Sequence, residues 1–201
     1  FGCTNASKPG LKAKRTGISE RFITMYTWSM PNTFPQSKAC LYNQTNVDDY
    51  FSLQTGCELI SVPACVYFDS KASHDFLSQY DYLPNNTGSL LLSSRLSDWL
   101  QQTVADCVQP IPAVIQCQDG PLQDYWVVNI VQQVAAINEA KSMAGSFGIY
   151  HKLVYLSETD NSLFLARCKG NLAEVLVSNA LKQALQQTDF RILKFYACPT
   201  S

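Results

Sequence analysis

Apolar positions follow two periods along this chain, and the pattern is most regular in its second half. Residues 111–117 form a short apolar run that reads as a strand. Asp119-Gly120-Pro121 is turn chemistry, with Pro121 suited to a first helical position. Val127, Ile130, Val131, Val134 and Ile137 then recur at helical spacing. They predict a helix over residues 122–144 that stops at Gly145. Residues 147–156 and 163–166 are rich in β-branched and aromatic side chains and read as a hairpin. A second amphipathic helix follows Gly170-Asn171, with Ala173, Val177, Ala180, Leu181 and Ala184 on one face, and residues 190–198 close as a strand. The order β-α-β-β-α-β is that of a ferredoxin-like unit.

The first half echoes this order. Asp49-Tyr50-Phe51 resembles Asp124-Tyr125-Trp126, and Val66-Tyr67-Phe68 resembles Val154-Tyr155-Leu156. Leu96, Leu100 and Gln101-Gln102-Thr103 match Leu181, Leu185 and Gln186-Gln187-Thr188, and Cys117 matches Cys198. Residues 20–28 read as a strand, 30–47 as a loop, 57–69 as a strand interrupted at Pro63, 74–83 as its hairpin partner, and 89–107 as a helix. The expected fold class is therefore α+β: two tandem ferredoxin-like (βαββαβ) halves, disulfide-stapled, the second better defined. The expected division is a basic N-terminal arm at 1–17, a first half at 18–109 and a second at 110–201, parted at the proline pair Pro110 and Pro112.

Charge narrows the partners. Fifteen basic and sixteen acidic residues leave a net charge of −1, which argues against a nucleic-acid partner. No apolar run is long enough to span a membrane. The absence of an initiator Met fits a mature form. The eight cysteines, Cys3, Cys40, Cys57, Cys65, Cys107, Cys117, Cys168 and Cys198, are even in number and include no CxxC pair. Three sequons accompany them, at Asn5, Asn43 and Asn85. Together these predict disulfides, with Cys107–Cys117 the first pairing to expect, N-glycosylation and a secreted, extracellular location. The arm carrying Lys8, Lys12, Lys14 and Arg15 reads as solvated chain.

Candidate chemistry adds little. No nucleophile elbow, metalloprotease motif, P-loop or dinucleotide fingerprint is present. His74 and His151 are the two histidines; they read as a loop residue and a strand residue, and no metal site or cofactor is expected. Asp119 with Asp124 and Glu158 with Asp160 are carboxylate pairs by proximity, at turns and caps where acidic residues are common. The sequence thus predicts a secreted, disulfide-rich glycoprotein that acts as a binding module or as a subunit of an extracellular assembly. The partners expected are other protein chains or a small apolar ligand, with a possible oligomer; the alternative is a small secreted enzyme acting on an apolar molecule or a glycan.

Overall fold

At the centre of the fold is a long hairpin. In the computed structural model, which describes residues 25–43, 50–145, 150–156 and 164–200, β6 (Val108–Cys117) turns through Gln118-Asp119 into β7 (Gly120–Ile130). The two pair antiparallel from Cys117↔Gly120 to Val108↔Ile130, with a register shift between Ala113 and Ile115. Gly120 leaves the turn at φ 119, a backbone conformation that side chains with a Cβ rarely adopt. β7 takes up the first part of the run predicted as a helix, residues 122–144, and two short strands, Gln133–Val134 and Met143–Ala144, lie in the rest. The aromatic and β-branched stretch Tyr125-Trp126-Val127-Val128 suits a pleated surface, and the two faces of β7 are buried in different clusters: Tyr125 and Val127 on one, Val128 and Ile130 on the other. A strand buried on both faces is apolar at almost every position, so a helical stripe can be read through it.

In chain order the other elements are β1 (Tyr26–Ser29), β2 (Leu41–Tyr42), β3 (Val66–Asp69), α1 (His74–Leu77), β4 (Tyr82–Leu83), β5 (Leu90–Ser93) and α2 (Ser94–Thr103) before the hairpin. After it come β8 (Gln133–Val134), β9 (Met143–Ala144), β10 (Tyr150–Lys152), β11 (Leu165–Cys168), β12 (Asn171–Val177), α3 (Asn179–Gln186) and β13 (Lys194–Ala197). They make a six-stranded sheet, β2-β3-β6-β7-β5-β4, a five-stranded sheet, β13-β1-β12-β11-β8, and the ribbon β9-β10. A bridge between Cys40 and Asn85, with the Cys40 N–H donating to Pro84 O at 2.9 Å, joins the two outer strands of the larger sheet and curls it.

Three apolar clusters hold these layers together. One lies between the two sheets, where α2 (Leu96, Leu100) and α3 (Leu181, Leu185) meet Leu92, Val128 and Ile130 of the larger sheet and Trp28, Leu165 and Val177 of the smaller. A second fills the other face of the larger sheet with Val66, Phe68, Leu91, Ile111, Ile115 and Val127, capped by Phe34, Leu53 and Leu77. A third covers the outer face of the smaller sheet with Met25, Ala136, Tyr155, Cys168, Leu176 and Cys198.

The ferredoxin-like halves are thereby overturned: the fold is mostly β, with several sheets. Residues 109 and 110, the expected boundary, both lie inside β6. Val66 sits in β3 of the larger sheet, whereas Val154 lies outside the named strands, beside the bridge Tyr155↔Ile137. Residues 74–83, expected as a strand, begin with the one-turn α1, capped by the Ser73 side chain. The prolines that suggested a boundary are accommodated locally: β3 covers β6 only over Ala113–Gln116, so Pro110 and Pro112 lie beyond the paired stretch.

Disulfide staples are overturned too. All seven described cysteines are free thiols, and Cys3 lies outside the described residues. Cys107 and Cys117 stand at opposite ends of the ten-residue β6, about 30 Å apart at ~3.3 Å per residue, far beyond the reach of an S–S bond. Cys40, Cys107, Cys117, Cys168 and Cys198 are buried and pack as small apolar side chains.

Candidate partner-binding surface

The segment leading into β3 is held to the sheets by side-chain amides. Arg167 of β11 reaches Leu53 O through Nη2 at 3.4 Å. Gln133 of β8 donates to Thr55 O at 2.6 Å. Asn129 of β7 donates to Cys57 O at 3.0 Å, and its cross-strand partner Gln109 of β6 brackets Leu59, accepting from its N–H at 3.0 Å and donating to its carbonyl at 3.1 Å. Gly56 lets the chain come this close. Its φ is 69, and a Cβ there would stand 2.6 Å from Gln133 Cγ and 3.1 Å from Arg167 Cβ.

From this tied base residues 58–64 project outward. Ile60 is wholly exposed, at 106 %, and Val62 is 45 % exposed. Beside the loop is a hollow of about 500 Å³ lined by Glu58, Gln101, Asp106, Gln109, Pro110 and Val131 among others. Its charged lining residues among those described, Glu58 and Asp106, are both acidic. Apolar side chains held out on a bonded base, next to an acidic hollow, suit recognition of another surface.

A second concavity of about 370 Å³ lies where the larger sheet curls closed. The exposed Met30 and Leu41 line it, with Phe34, Pro84, Asn85 and Asn86. Its wall is stiffened from below, where Phe34 makes edge contacts with Phe76 and Tyr80, and at the side, where the Tyr42 N–H donates to Asn86 Oδ1 at 2.7 Å.

The residues singled out in the sequence are scattered. Asn85 is buried, and its amide donates to Leu83 O and Ser89 O while its oxygen accepts from Thr87. Asn43 donates to Asp69 Oδ2 at 2.9 Å. Asn5, Glu158 and Asp160 lie outside the described residues. His151 is exposed on β10, and Asp124 is exposed on β7. His74 and Asp119, distant in sequence, come together: the Asp119 carboxylate accepts from the His74 N–H at 3.0 Å. Ile60 and Val62 fall in residues 57–69, which read as a strand interrupted at Pro63, whereas residues 58–64 are a loop. The loop signal that was available is Gly56 together with Pro63.

A mostly β scaffold presenting such a loop and hollow has the make-up of a protein-binding domain. The chain belongs to an immunity protein family: the model described as "Immunity protein family (Imm11)" matches residues 54–200. No curated protein matches. Immunity proteins bind a partner toxin protein, so another protein chain, one of the partners expected from the sequence, is the partner here. Free thiols and family membership together overturn the disulfide-rich secreted glycoprotein. Among the described residues no helix is long and apolar enough to cross a membrane.

Proposed function

We propose that this protein neutralises its toxin by forming a direct complex, with residues 58–64 and the adjoining hollow as the contact surface. The observation that carries this reading is Ile60, wholly exposed on a backbone held by amides from β6, β7 and β8. A pre-ordered apolar knob gives up little conformational entropy on docking, which is how a small surface yields affinity. Glu58 and Asp106 would rim the contact and favour a basic patch on the toxin. Loop and hollow fall wholly within residues 54–200, the part shared with the family, whereas residues 30–41 of the second concavity lie outside it.

Co-expression with the cognate toxin tests this. Ile60→Asp, alone or with Val62→Asp, is expected to leave the melting temperature unchanged. It should weaken the complex by about 2 kcal/mol or more, some 30-fold, and abolish growth protection. Met143→Asp, at an exposed residue of β9 that belongs to neither the loop nor the lining of the hollow, serves as the control. Unchanged binding by the Ile60→Asp/Val62→Asp protein would sink the proposal.

A further inference from the structure

We propose that His74, Cys117 and Asp119 form a zinc site at the tip of the β6–β7 hairpin. Cys117 is the last residue of β6, Asp119 lies in the turn that follows, and His74 opens α1. One ligand atom from each lies within 4.8 Å of the other two. His74 Nε2 is 3.6 Å from Asp119 Oδ1 and 2.9 Å from Gly120 O. Ligand atoms around a tetrahedral zinc stand ~3.5 Å apart, given bonds of about 2.0–2.3 Å, so modest side-chain rotations close the set. A thiol, an imidazole and a carboxylate are the donor types zinc takes, and the mixture excludes the all-oxygen shells of calcium and magnesium.

The surroundings suit a metal. The Asp119 carboxylate is already oriented by the His74 backbone N–H, the kind of outer support that fixes a ligand. The Cys117 side chain is buried, while the side chains of His74 and Asp119 are 34 % and 45 % exposed. Zinc would therefore approach from solvent, bind against the buried sulfur and keep water in its fourth position. Zinc binding displaces the Cys117 thiol proton, which leaves to solvent, and the thiolate ligates the metal. The bound ion would clamp α1 to the hairpin tip, joining segments more than forty positions apart in sequence.

Tag-free, reduced full-length protein is titrated with zinc against a chromophoric chelator, and with cobalt for its spectrum. One equivalent should bind, with a thiolate-to-cobalt charge-transfer band that disappears in Cys117→Ser. His74→Ala and Asp119→Asn should each lose affinity at least as strongly as the roughly 10–100-fold typical of removing an outer-shell partner. Zinc should raise the melting temperature of the wild type and not that of His74→Ala. Cys57→Ser, which removes an exposed thiol elsewhere, should change nothing. The inference is overturned by absence of stoichiometric binding, by a band that survives Cys117→Ser, or by one that Cys57→Ser removes. Should Cys117→Ser fail to fold, chelator competition with His74→Ala and Asp119→Asn decides, and undiminished affinity in both overturns it.

Discussion

Asp81 is a carboxylate taken almost wholly out of water, 4 % exposed, and it survives there because every lone pair it presents is used. Arg95 grips it twice at 2.7 Å, Ser93 Oγ donates at 2.6 Å and the Arg191 N–H donates at 2.6 Å. The same guanidinium binds Asp189, so one arginine ties the start of α2 to the chain after α3. Burial by itself raises the Asp81 pKa, but the donors from Arg95, Arg191 and Ser93 outweigh it and hold it below its ordinary value of 3.8. A depressed folded-state pKa stabilises the fold above the unfolded value and stops doing so as pH falls through the folded one. Arg95→Ala is expected to cost about 3–5 kcal/mol, since it leaves a buried carboxylate without its counter-charge. That cost should shrink on acidification, because the wild type gives up its Asp81 stabilisation as pH falls towards the depressed folded pKa, whereas the variant, its Asp81 pKa raised by burial, has little of it to lose. Urea midpoints measured from about pH 6 down to 2 check both. Gln133 shows how context reassigns a residue: on a helix its side chain would face solvent, whereas here it holds Thr55 O. Gln133→Ala should accordingly loosen residues 55–64, seen as faster amide hydrogen exchange there.

At the scale of elements, one short pattern occurs twice. β5 runs through Ser93 into α2, and β12 runs through Ser178 into α3. In each the serine oxygen accepts from the third residue onward, Leu96 N–H at 3.4 Å and Leu181 N–H at 3.1 Å. Leu96 with Leu100, and Leu181 with Leu185, then bury in the same inter-sheet cluster. The sequence echo at these leucines therefore reflects a repeated strand–serine–helix device, even though the two ferredoxin-like halves do not form. Ser178 also accepts from the Phe164 N–H at 3.2 Å and is fully buried. Ser178→Ala should therefore fall at the upper end of the ~0.5–2 kcal/mol a cap contributes, and Ser73→Ala, at the edge of the single-turn α1, at the lower end. Chemical denaturation of the two variants provides the comparison. Ile130→Ala should cost about 2–5 kcal/mol, the figure a buried helix position would also give, because burial alone decides it.

For the whole molecule, the inter-sheet cluster makes the two sheets one cooperative unit, since side chains from both, and from both helices, share it. Unfolding should follow a single transition, with Trp fluorescence and far-ultraviolet circular dichroism superposing. Leu100→Ala should move both probes down together by about 2–5 kcal/mol; separate midpoints would show that the sheets unfold independently. Several strands were legible from composition alone: β1, β3, β11 and β13 fall in or against runs predicted as strands, because β-branched and aromatic clusters carry that preference locally. The turn at Asp119-Gly120 was equally local. The type of β7 was not, since the choice between helix and strand over residues 120–130 hangs on β5 and β6 pairing along its two edges. Nor could the state of the thiols be read, since an even count of cysteines says nothing of the strand that separates Cys107 from Cys117. The outward presentation of Ile60 likewise depends on Gln109 and Asn129, amides some fifty and seventy positions along the chain. Local backbone preference and turn chemistry were thus determined by the sequence itself. Sheet order, the exposure of residues 58–64 and the meeting of His74 with Cys117 and Asp119 were decided by tertiary structure, because each depends on contacts between residues that only folding brings together.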